Sequence, residues 1–267
     1  MTLTLAVVGG GHMGAALVSG LVRNGWTGIV VVEQLAEQRA RLEARFPSGA
    51  VRVAAEVPPV EAGVVAVKPH DVEAACRALA AGGAGRILSV AAGVTAAELR
   101  AWAGEGPAVL RAMPNTPALL GAGASGLAAG PGATQADLDW GCRVLGAVGS
   151  VEVVEERHLD AVTGLSGSGP AYVFLAAEAL VDAGVSNGLP RPVALRLAVQ
   201  TILGAGRMLA EVGDPPEVLR AGVTSPAGTT AAGLRVLEAR AFRSALIEAV
   251  TAAAARSAEL GGAAPGA

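Results

Sequence analysis

The chain has 267 residues, of which 52% are hydrophobic and only 16% are charged. This length suits one large domain or two modest ones, and the composition predicts a soluble, well-packed globule rather than a disordered chain. The formal net charge of −3 shows no excess of basic residues, which argues against a nucleic-acid partner.

The first predicted element is the short apolar run Leu3–Val8, whose pattern is typical of a strand buried on both faces. It leads into a Gly-x-Gly-x-x-Gly motif from Gly9 to Gly14 and then into a helical pattern over Ala15–Arg23. In this setting the first glycine allows a tight turn, the second lets the backbone reach a pyrophosphate, and the third lets helix and strand pack closely. The N-terminus of the helix would offer free N–H groups and partial positive charge to the phosphates.

A second apolar run, Ile29–Val32, ends at Glu33, where an acidic residue binds a ribose hydroxyl in dinucleotide sites. Glu33 alone also fits a solvated carboxylate at a strand end, but the whole context predicts dinucleotide binding. A carboxylate there repels the 2′-phosphate of NADPH, so the sequence leans to NADH. Arg39 and Arg41 leave NADPH open, unless they simply face solvent on the predicted helix Ala36–Phe46.

The alternation of strand and helix patterns continues to about residue 154. It predicts strands at Val51–Ala54, Val64–Val67, Arg86–Val90, Val109–Ala112, Ala122–Ala129 and Ser150–Val154, and helices at Val72–Ala81, Ala96–Ala103 and Gln135–Leu145. This is the pattern of a doubly wound parallel sheet, in which the ligand lies across the carboxyl ends of the strands.

Three segments follow these strands and are therefore candidates for the site. Lys68 faces either the cofactor or solvent, and the small residues Ala91–Gly93 would let a nicotinamide or a ribose approach the backbone. Asn115 either holds a carboxamide or the substrate, or caps the turn between two prolines.

The stretch Val162–Tyr172 is rich in glycine and hydroxyl side chains. It separates this half of the chain from a second half whose apolar spacing predicts helices. It fits either a ligand-binding segment or a plain interdomain loop. Helices are predicted at Ala171–Ala183, Pro192–Val212, Pro216–Ala221, Thr230–Ala239 and Phe242–Leu260. We therefore predict an α/β fold with a Rossmann-type domain over residues 1–158, an all-helical dimerisation and substrate domain over 159–260, and a disordered tail over 261–267.

One polar turn, Val223–Thr230, interrupts these helices and ends where a helix begins. A turn rich in Ser and Thr at a helix N-terminus is an anion receptor, because it offers backbone N–H groups, hydroxyls and the helix dipole together. The alternative is ordinary capping by Thr229 or Thr230, which explains one hydroxyl but not four.

Four motifs now stand in order: Gly9–Gly14, Ala66–Pro69, Thr163–Tyr172, and Thr224–Thr230 followed by Ala231–Glu238. Together they closely resemble the pyrroline-5-carboxylate reductase family, and the resemblance runs from about residue 5 to 258. The run Ser225–Glu238 is similar to that family's signature and is far more specific than the glycine motif. Arg111–Pro117 is similar to a further family segment.

The resemblance implies reduction of Δ1-pyrroline-5-carboxylate to L-proline with NADPH or NADH, the last step of proline biosynthesis. It also implies a homodimer through the helical domain, with rings of dimers in many members. The candidate cofactor residues, including Gly14 and Glu33 from the glycine motif and its acidic partner, are Gly9, Gly10, Gly11, His12, Met13, Gly14, Glu33, Ala66, Val67, Lys68, Pro69, Val90, Ala91, Ala92 and Gly93. The substrate carboxylate would be held by Ser225, Gly228, Thr229 and Thr230, with Thr230 nearest the ring nitrogen and a hypothetical proton donor.

Two departures from the family pattern matter. Many members have Ser, Thr or Asn-Arg where this chain has Glu33-Gln34, which puts a strict NADPH preference in doubt. Many also have a Gly-Gly pair where this chain has Ala227-Gly228, a mild change provided that residue 227 keeps a negative φ.

Two rival functions remain open. Ketopantoate and β-hydroxyacid dehydrogenases share the two-domain plan but generally use a lysine of the second domain as acid, whereas Lys68 is the only lysine here. A non-catalytic dinucleotide sensor would have little reason to keep the Ser225–Thr230 turn.

The remaining expectations come from scattered residues. Cys76 and Cys142 show no Cys-x-x-Cys pairing, which suits a reducing compartment and buried structural thiols rather than a reactive one. The three histidines have no ligand spacing, so we expect no metal. The apolar N-terminus lacks the basic region of a signal peptide, and Glu248 breaks the apolar segment Ala245–Ala255, so we expect no membrane association and a cytoplasmic protein.

Overall fold

The structure, a computed structural model, describes residues 4–46 and 49–262. They form two compact units: the first joins the chain up to Ser168 to the segment from Thr251 onward, and the second is Gly169–Val250. The first unit thus extends past the boundary predicted at residue 158. Gly261 and Gly262 form a turn, and the rest of the predicted tail lies outside the described residues.

The first unit contains an eight-stranded sheet in the order β3-β2-β1-β4-β5-β6-β7-β8. The strands are β1 Leu5–Val8, β2 Ile29–Val32, β3 Val51–Ala54, β4 Ala62–Val65, β5 Arg86–Ser89, β6 Ala108–Met113, β7 Gly123–Ala129 and β8 Gly149–Val153. All neighbouring pairs are parallel except β6 with β7, which is antiparallel. The expectation of a parallel sheet fails at this pair because a 3₁₀ turn, Thr116–Leu120, replaces the long crossover that a parallel connection needs.

Five helices described in this unit lie where the apolar spacing predicts them, to within a few residues, whereas the one-turn helix at Leu159–Val162 was not predicted. The helices are α1 His12–Arg23, α2 Ala36–Arg45, α3 Val72–Ala81, α4 Ala96–Ala103, α5 Gln135–Gly146 and α6 Leu159–Val162. β4 begins and ends two residues before the predicted Val64–Val67, so Ala66 and Val67 already belong to the loop that follows it.

The core has one layer on each face of the sheet. Leu5 and Val7 of β1 pack on one side with Leu17 of α1, whereas Ala6 and Val8 pack on the other with Leu79 of α3. Aliphatic side chains dominate both layers, as the low aromatic content requires.

The two cysteines differ in their surroundings. Cys76 of α3 is fully buried, and burial raises the pKa of its thiol to about 12, so the expectation of a structural cysteine is confirmed. Cys142 of α5 is only partly buried, and burial together with the charge of Asp139 raises its thiol pKa.

The second unit is helical. Its helices are α7 Gly169–Ser186, α8 Arg191–Glu211, α9 Pro216–Gly222, α10 Thr229–Ala239 and the first half of α11 Phe242–Leu260. Its described core is small, formed by Val181, Ala194 and Ala198.

Many large apolar side chains of this unit remain on the surface. Phe174 and Leu175 of α7 and Ile247 of α11 are each more than 60% exposed in the single chain. Among the described residues, α8 is the one helix long and apolar enough to cross a membrane by length and composition. An apolar helix in a subunit contact has the same length and composition, and contiguous exposed apolar surface is typical of such contacts.

A polar interaction ties β5 to α5. The carboxylate of Asp137 accepts hydrogen bonds from Arg86 Nε at 2.6 Å and from the backbone and hydroxyl of Thr134. Burial alone raises the pKa of Asp137, but these hydrogen bonds and the positive charge of Arg86 outweigh it and lower the pKa below its ordinary value.

We expect Asp137→Asn to lower the free energy of unfolding by about 1–3 kcal/mol at neutral pH, because the amide leaves the partly buried guanidinium of Arg86 without its charged acceptor. A carboxyl whose folded pKa is lowered stabilises above its unfolded pKa of about 4 and loses that effect as pH falls through the folded value. The difference between wild type and variant, measured by urea unfolding, should therefore shrink below about pH 4.

Glu73→Gln is the matched control, since Glu73 forms an exposed i,i+4 pair with Arg77. It should change stability by less than about 0.5 kcal/mol. Equal effects of the two variants at neutral pH would contradict the assignment of Asp137 as a structural carboxylate.

Candidate active site

The predicted cofactor segments meet at one edge of the sheet. They follow β1, β2, β4 and β5, which are neighbours in the sheet, so the carboxyl ends of these parallel strands lie side by side. Backbone hydrogen bonds continue past the strand ends, from Gly9 N to Val32 O and from Ala66 N to Val8 O, each 2.8 Å long. This edge is the place where doubly wound sheets bind ligands.

The glycine motif is shaped by close approach. Gly9 has a φ of +104°, and a Cβ there would lie 2.5 Å from the carbonyl oxygen of Ala66. A Cβ on Gly14 would collide with the carbonyl oxygen of Gly9, and one on Gly10 would strike the side chain of Leu42. Gly11 faces open space, which leaves its backbone accessible to a ligand.

The N-terminus of α1 begins at this open position. Gly11 is its N-cap and makes no side-chain capping bond, and the first turn contains no acidic residue. His12 is exposed and Met13 is partly exposed. The free N–H groups and the helix dipole therefore suit the negative charge of a pyrophosphate.

Glu33 lies at the same edge and is held by the protein itself. One carboxylate oxygen accepts a hydrogen bond from the backbone N–H of Gly10, and the other accepts one from Leu35, each 3.0 Å long. The side-chain amide of Gln38 also donates to the carbonyl of Gly10. The carboxylate is thus fixed beside the glycine motif rather than free in solvent.

Arg39 and Arg41 behave differently on α2. The guanidinium of Arg39 donates to the backbone carbonyls of Glu33 and Gln34 at 2.9 and 2.7 Å, so it supports the loop after β2. Arg41 pairs with Glu37 and is exposed, as the solvent-facing interpretation expected.

The other predicted cofactor segments adjoin the glycine motif. Ala66 and Val67 contact the position of Gly9, whereas Lys68 and Pro69 are exposed. In the segment after β5, Val90 donates a backbone hydrogen bond to Val65, and Ala91 donates one to the buried hydroxyl of Ser89. Ala92 is exposed, and Gly93 has a φ of +76°.

Asn115 and the segment Thr163–Gly167 have structural roles within the first unit. The side chain of Asn115 donates to Ser166 O at 3.0 Å and accepts from Ala124 N at 2.9 Å, so both ends of the amide are occupied. Residues Thr163–Gly167 form a π-helix rather than a loop. The hydroxyls of Thr163 and Ser166 donate to carbonyls one turn earlier, which removes them as donors to a ligand.

The polar turn in the second unit leads directly into the N-terminus of α10. Gly228 is the N-cap of α10 in extended conformation and makes no side-chain capping bond, and no acidic residue lies in the first turn. Thr229 and Thr230 are the first two residues of the helix, so neither caps it. A Cβ on Gly228 would collide with the hydroxyl oxygen of Ser225, which brings that hydroxyl next to the helix N-terminus.

Ala227 overturns one expectation. Its φ is +56°, in the left-handed region, so the condition under which alanine would be a mild replacement for glycine is not met. The turn is closed by a hydrogen bond from Gly228 N to Ser225 O of 3.1 Å. Its shape therefore requires the left-handed conformation, which costs an L-residue about 1–2 kcal/mol.

Comparison with known proteins identifies the family. A family model described as pyrroline-5-carboxylate reductase dimerisation matches residues 156–260, and one described as NADP oxidoreductase coenzyme F420-dependent matches residues 4–93. A pyrroline-5-carboxylate reductase of Pseudomonas aeruginosa is 42% identical over 97% of both chains. The chain belongs to the pyrroline-5-carboxylate reductase family.

Other pyrroline-5-carboxylate reductases are also similar. One from Arabidopsis thaliana is 52% identical, but the match covers only 65% of this chain and 63% of that protein, less than two thirds of each. The solved structure of a pyrroline-5-carboxylate reductase from Coxiella burnetii is 35% identical with a TM-score of 0.90, covering 97% of this chain and 99% of that one. The Plasmodium falciparum pyrroline carboxylate reductase, solved with NADP bound, is 27% identical with a TM-score of 0.80 over 97% and 98%.

Membership in the pyrroline-5-carboxylate reductase family accounts for the apolar helices. The dimerisation model covers all of α7 to α11, the helices whose large apolar side chains are exposed in the single chain. The match to the dimerisation model therefore supports self-association of this protein.

Sequence reasoning missed the residues that support the candidate cofactor site. Gln38 and Arg39 hold the loop that carries Glu33, and nothing in the helical spacing of α2 marks them. Glu156, which accepts from the backbone of Ala96 at the start of α4, is 60 residues away in sequence. Contacts of that range leave no local pattern.

We expect Ala227→Gly to stabilise the second unit, because glycine adopts the left-handed conformation without the steric cost that alanine carries. The relief of about 1–2 kcal/mol is partly offset by the greater freedom of glycine in the unfolded chain, which leaves a gain of about 0.5–1 kcal/mol. Thermal and urea unfolding of the full chain measure it.

Ala232→Gly in α10 provides the contrast, since Ala232 is an exposed residue of a regular helix. Glycine there should cost about 1 kcal/mol. If both substitutions destabilise, the left-handed conformation of Ala227 is refuted.

Proposed function

We propose that this chain reduces Δ1-pyrroline-5-carboxylate to L-proline with hydride from NADH or NADPH, as the last step of proline biosynthesis. The observation that carries the proposal is the turn at Ser225–Thr230, which lies in the family signature run and opens onto the free N-terminus of α10. The full-length similarity to the Pseudomonas aeruginosa enzyme supports the same activity.

The proposed cofactor site is the carboxyl edge of the sheet. The open backbone at Gly11 and the uncapped first turn of α1 suit the pyrophosphate, and Glu33 stands where a ribose would lie. The segments Ala66–Pro69 and Val90–Gly93 border the same edge and would line the nicotinamide half. The NADP bound to the Plasmodium falciparum relative supports a dinucleotide in this fold.

The proposed substrate site is the polar turn. The hydroxyl of Ser225 and the N–H groups of Thr229 and Thr230, which follow the N-cap Gly228, offer several donors to one carboxylate, and the dipole of α10 favours its negative charge. Thr230 is partly buried and is assigned the place nearest the ring nitrogen.

The proposed reaction requires the protein mainly to position the imine and the nicotinamide. The substrate is a cyclic imine, which accepts hydride readily once it is protonated, and the bound nicotinamide supplies that hydride. The chain's residues hold the imine carboxylate, orient the ring, and present the hydroxyl of Thr230 to the nitrogen. No acid–base pair of His and Asp is needed for this step.

The proposal extends to the setting of the enzyme. Exposed apolar helices support a homodimer, and a ring of dimers is the further assembly that the family resemblance suggests. The net charge of −3 supports the absence of a nucleic-acid partner. We assign the apolar face of α8 to subunit contact rather than to a membrane, and the protein to the cytoplasm.

Thr230→Ala should lower kcat for imine reduction by about 10²-fold, the usual effect of losing a proton donor, while Thr230→Ser should keep most of it. The assay follows the oxidation of NADH and of NADPH with pyrroline-5-carboxylate as substrate. Unchanged turnover in Thr230→Ala would refute the role of the hydroxyl. A folded wild-type protein that binds nicotinamide cofactor but never reduces the imine would refute the whole assignment and favour a sensor.

Glu33→Gln should raise the ratio of kcat/KM with NADPH to that with NADH by about tenfold or more, because it removes a negative charge beside the expected 2′-phosphate. Glutamine has one acceptor oxygen and can keep one of the two backbone hydrogen bonds that Glu33 accepts, while Arg39 still supports the loop. Glu37→Gln on α2 removes the same charge from an exposed position and should leave the ratio unchanged. A ratio that Glu33→Gln does not move would mean that Glu33 only braces the loop.

A further inference from the structure

The C-terminal end of α11 lies directly against one of the proposed cofactor segments. A methyl group placed on Gly93 would be 3.3 Å from the carbonyl oxygen of Leu260 and 3.7 Å from the backbone nitrogen of Gly261. A methyl group on Gly261 would in turn be 3.6 Å from the carbonyl oxygen of Gly93. Backbone therefore faces backbone here, and a shift of the helix end would be transmitted to the segment that ends at Gly93.

A partly buried hydrogen bond anchors this helix end. The hydroxyl of Ser257 donates to a carboxylate oxygen of Asp160 on α6 at 2.7 Å, and Ser257 is only 7% exposed. A hydrogen bond to a charged acceptor is stronger than a neutral one, and its loss leaves the acceptor unsatisfied. Ser257 lies one turn before Leu260, so this bond fixes the part of α11 that touches Gly93.

A second contact holds the other side of the same loop. Glu156 accepts a hydrogen bond from the backbone N–H of Ala96, the first residue of α4, at 2.6 Å, and pairs with the nearly buried Arg111 of β6 at 3.1 Å. The loop from Gly93 to Ala96 is therefore held at both ends, by Leu260 at Gly93 and by Glu156 at Ala96. Glu156 lies at the border of the predicted Rossmann domain, and Leu260 follows it in sequence. With both ends held, the position of Gly93 depends on the anchor at Ser257.

We propose that Ser257 and Asp160 are positioning residues for the nicotinamide cofactor, acting through the end of α11 on the segment Val90–Gly93. The inference rests on the proposed function, which assigns that segment to the cofactor. Neither residue touches the reacting atoms. Their hydrogen bond sets the distance between the Gly93 backbone and the site edge formed by Gly9 and Ala66.

The test is the dissociation constant of NADH for the full-length protein, measured by fluorescence without imine, for wild type and Ser257→Ala. We expect binding to weaken by about threefold to tenfold, with a parallel rise in KM for NADH and no change in KM for the imine. Asp160→Ala should have the same effect, and the double variant should be no weaker than either single variant, because both remove one bond. Asp160→Asn keeps an acceptor oxygen and should retain most of the affinity.

Ser244→Ala is the matched control on the same helix, since its hydroxyl donates to Glu248 in an exposed i,i+4 pair. It should leave NADH binding unchanged. A lower melting temperature in Ser257→Ala with unchanged NADH affinity well below that temperature would overturn the proposal and leave a structural bond only. The binding measurement needs no turnover. A protein that binds NADH but does not reduce the imine would refute the proposed function, and its affinity for NADH would still test the role of Ser257 and Asp160.

Discussion

The close approach of the Gly9 backbone to Ala66 governs the carboxyl edge of the sheet. Gly9 turns the chain with a positive φ, Gly14 lets α1 pack onto that turn, and the loop after β4 has no room to move toward either. Because each of these contacts is between backbone atoms, the edge is defined by main chain rather than by adaptable side chains. A flat cofactor needs such a surface, since side chains there would keep it from the backbone donors.

The glycine motif of the first unit and the polar turn of the second unit share one feature, an uncapped helix N-terminus that follows a glycine. Each places glycine at the N-cap of a helix, leaves the first turn without a capping side chain or an acidic residue, and so exposes a set of N–H donors. This arrangement suits a pyrophosphate in one case and a carboxylate in the other without any arginine or lysine.

Much of the fold follows from local patterns, and the failures have physical causes. The strands β1 to β6 and their helices were predictable because buried parallel strands and amphipathic helices leave clear periods in sequence. The strand β7 was also predicted, but its antiparallel direction was not, because that direction depends on the length of a connection that contains no long crossover. The stretch Thr163–Gly167 resembles a loop by composition, yet it is helical, with its hydroxyls bonded back to the helix.

The candidate site was predictable where one segment carries the function, as in Gly9–Gly14 and Ser225–Thr230. The left-handed Ala227 was not, since only the closed geometry of the turn sets its φ. The bracing of Glu33 by Gly10 and the contact of Leu260 with Gly93 join residues far apart in sequence, and no local period records them.

The helix α11 also bears on how the protein can be divided. Its first half belongs to the second unit and its last half to the first, so the first unit consists of two separate stretches of chain. A fragment ending at Ser168 would lack the buried Ser257 and leave the carboxylate of Asp160 without its donor. During synthesis from the N-terminus the first unit likewise stays incomplete until α11 has been made, because the second half of that helix belongs to it.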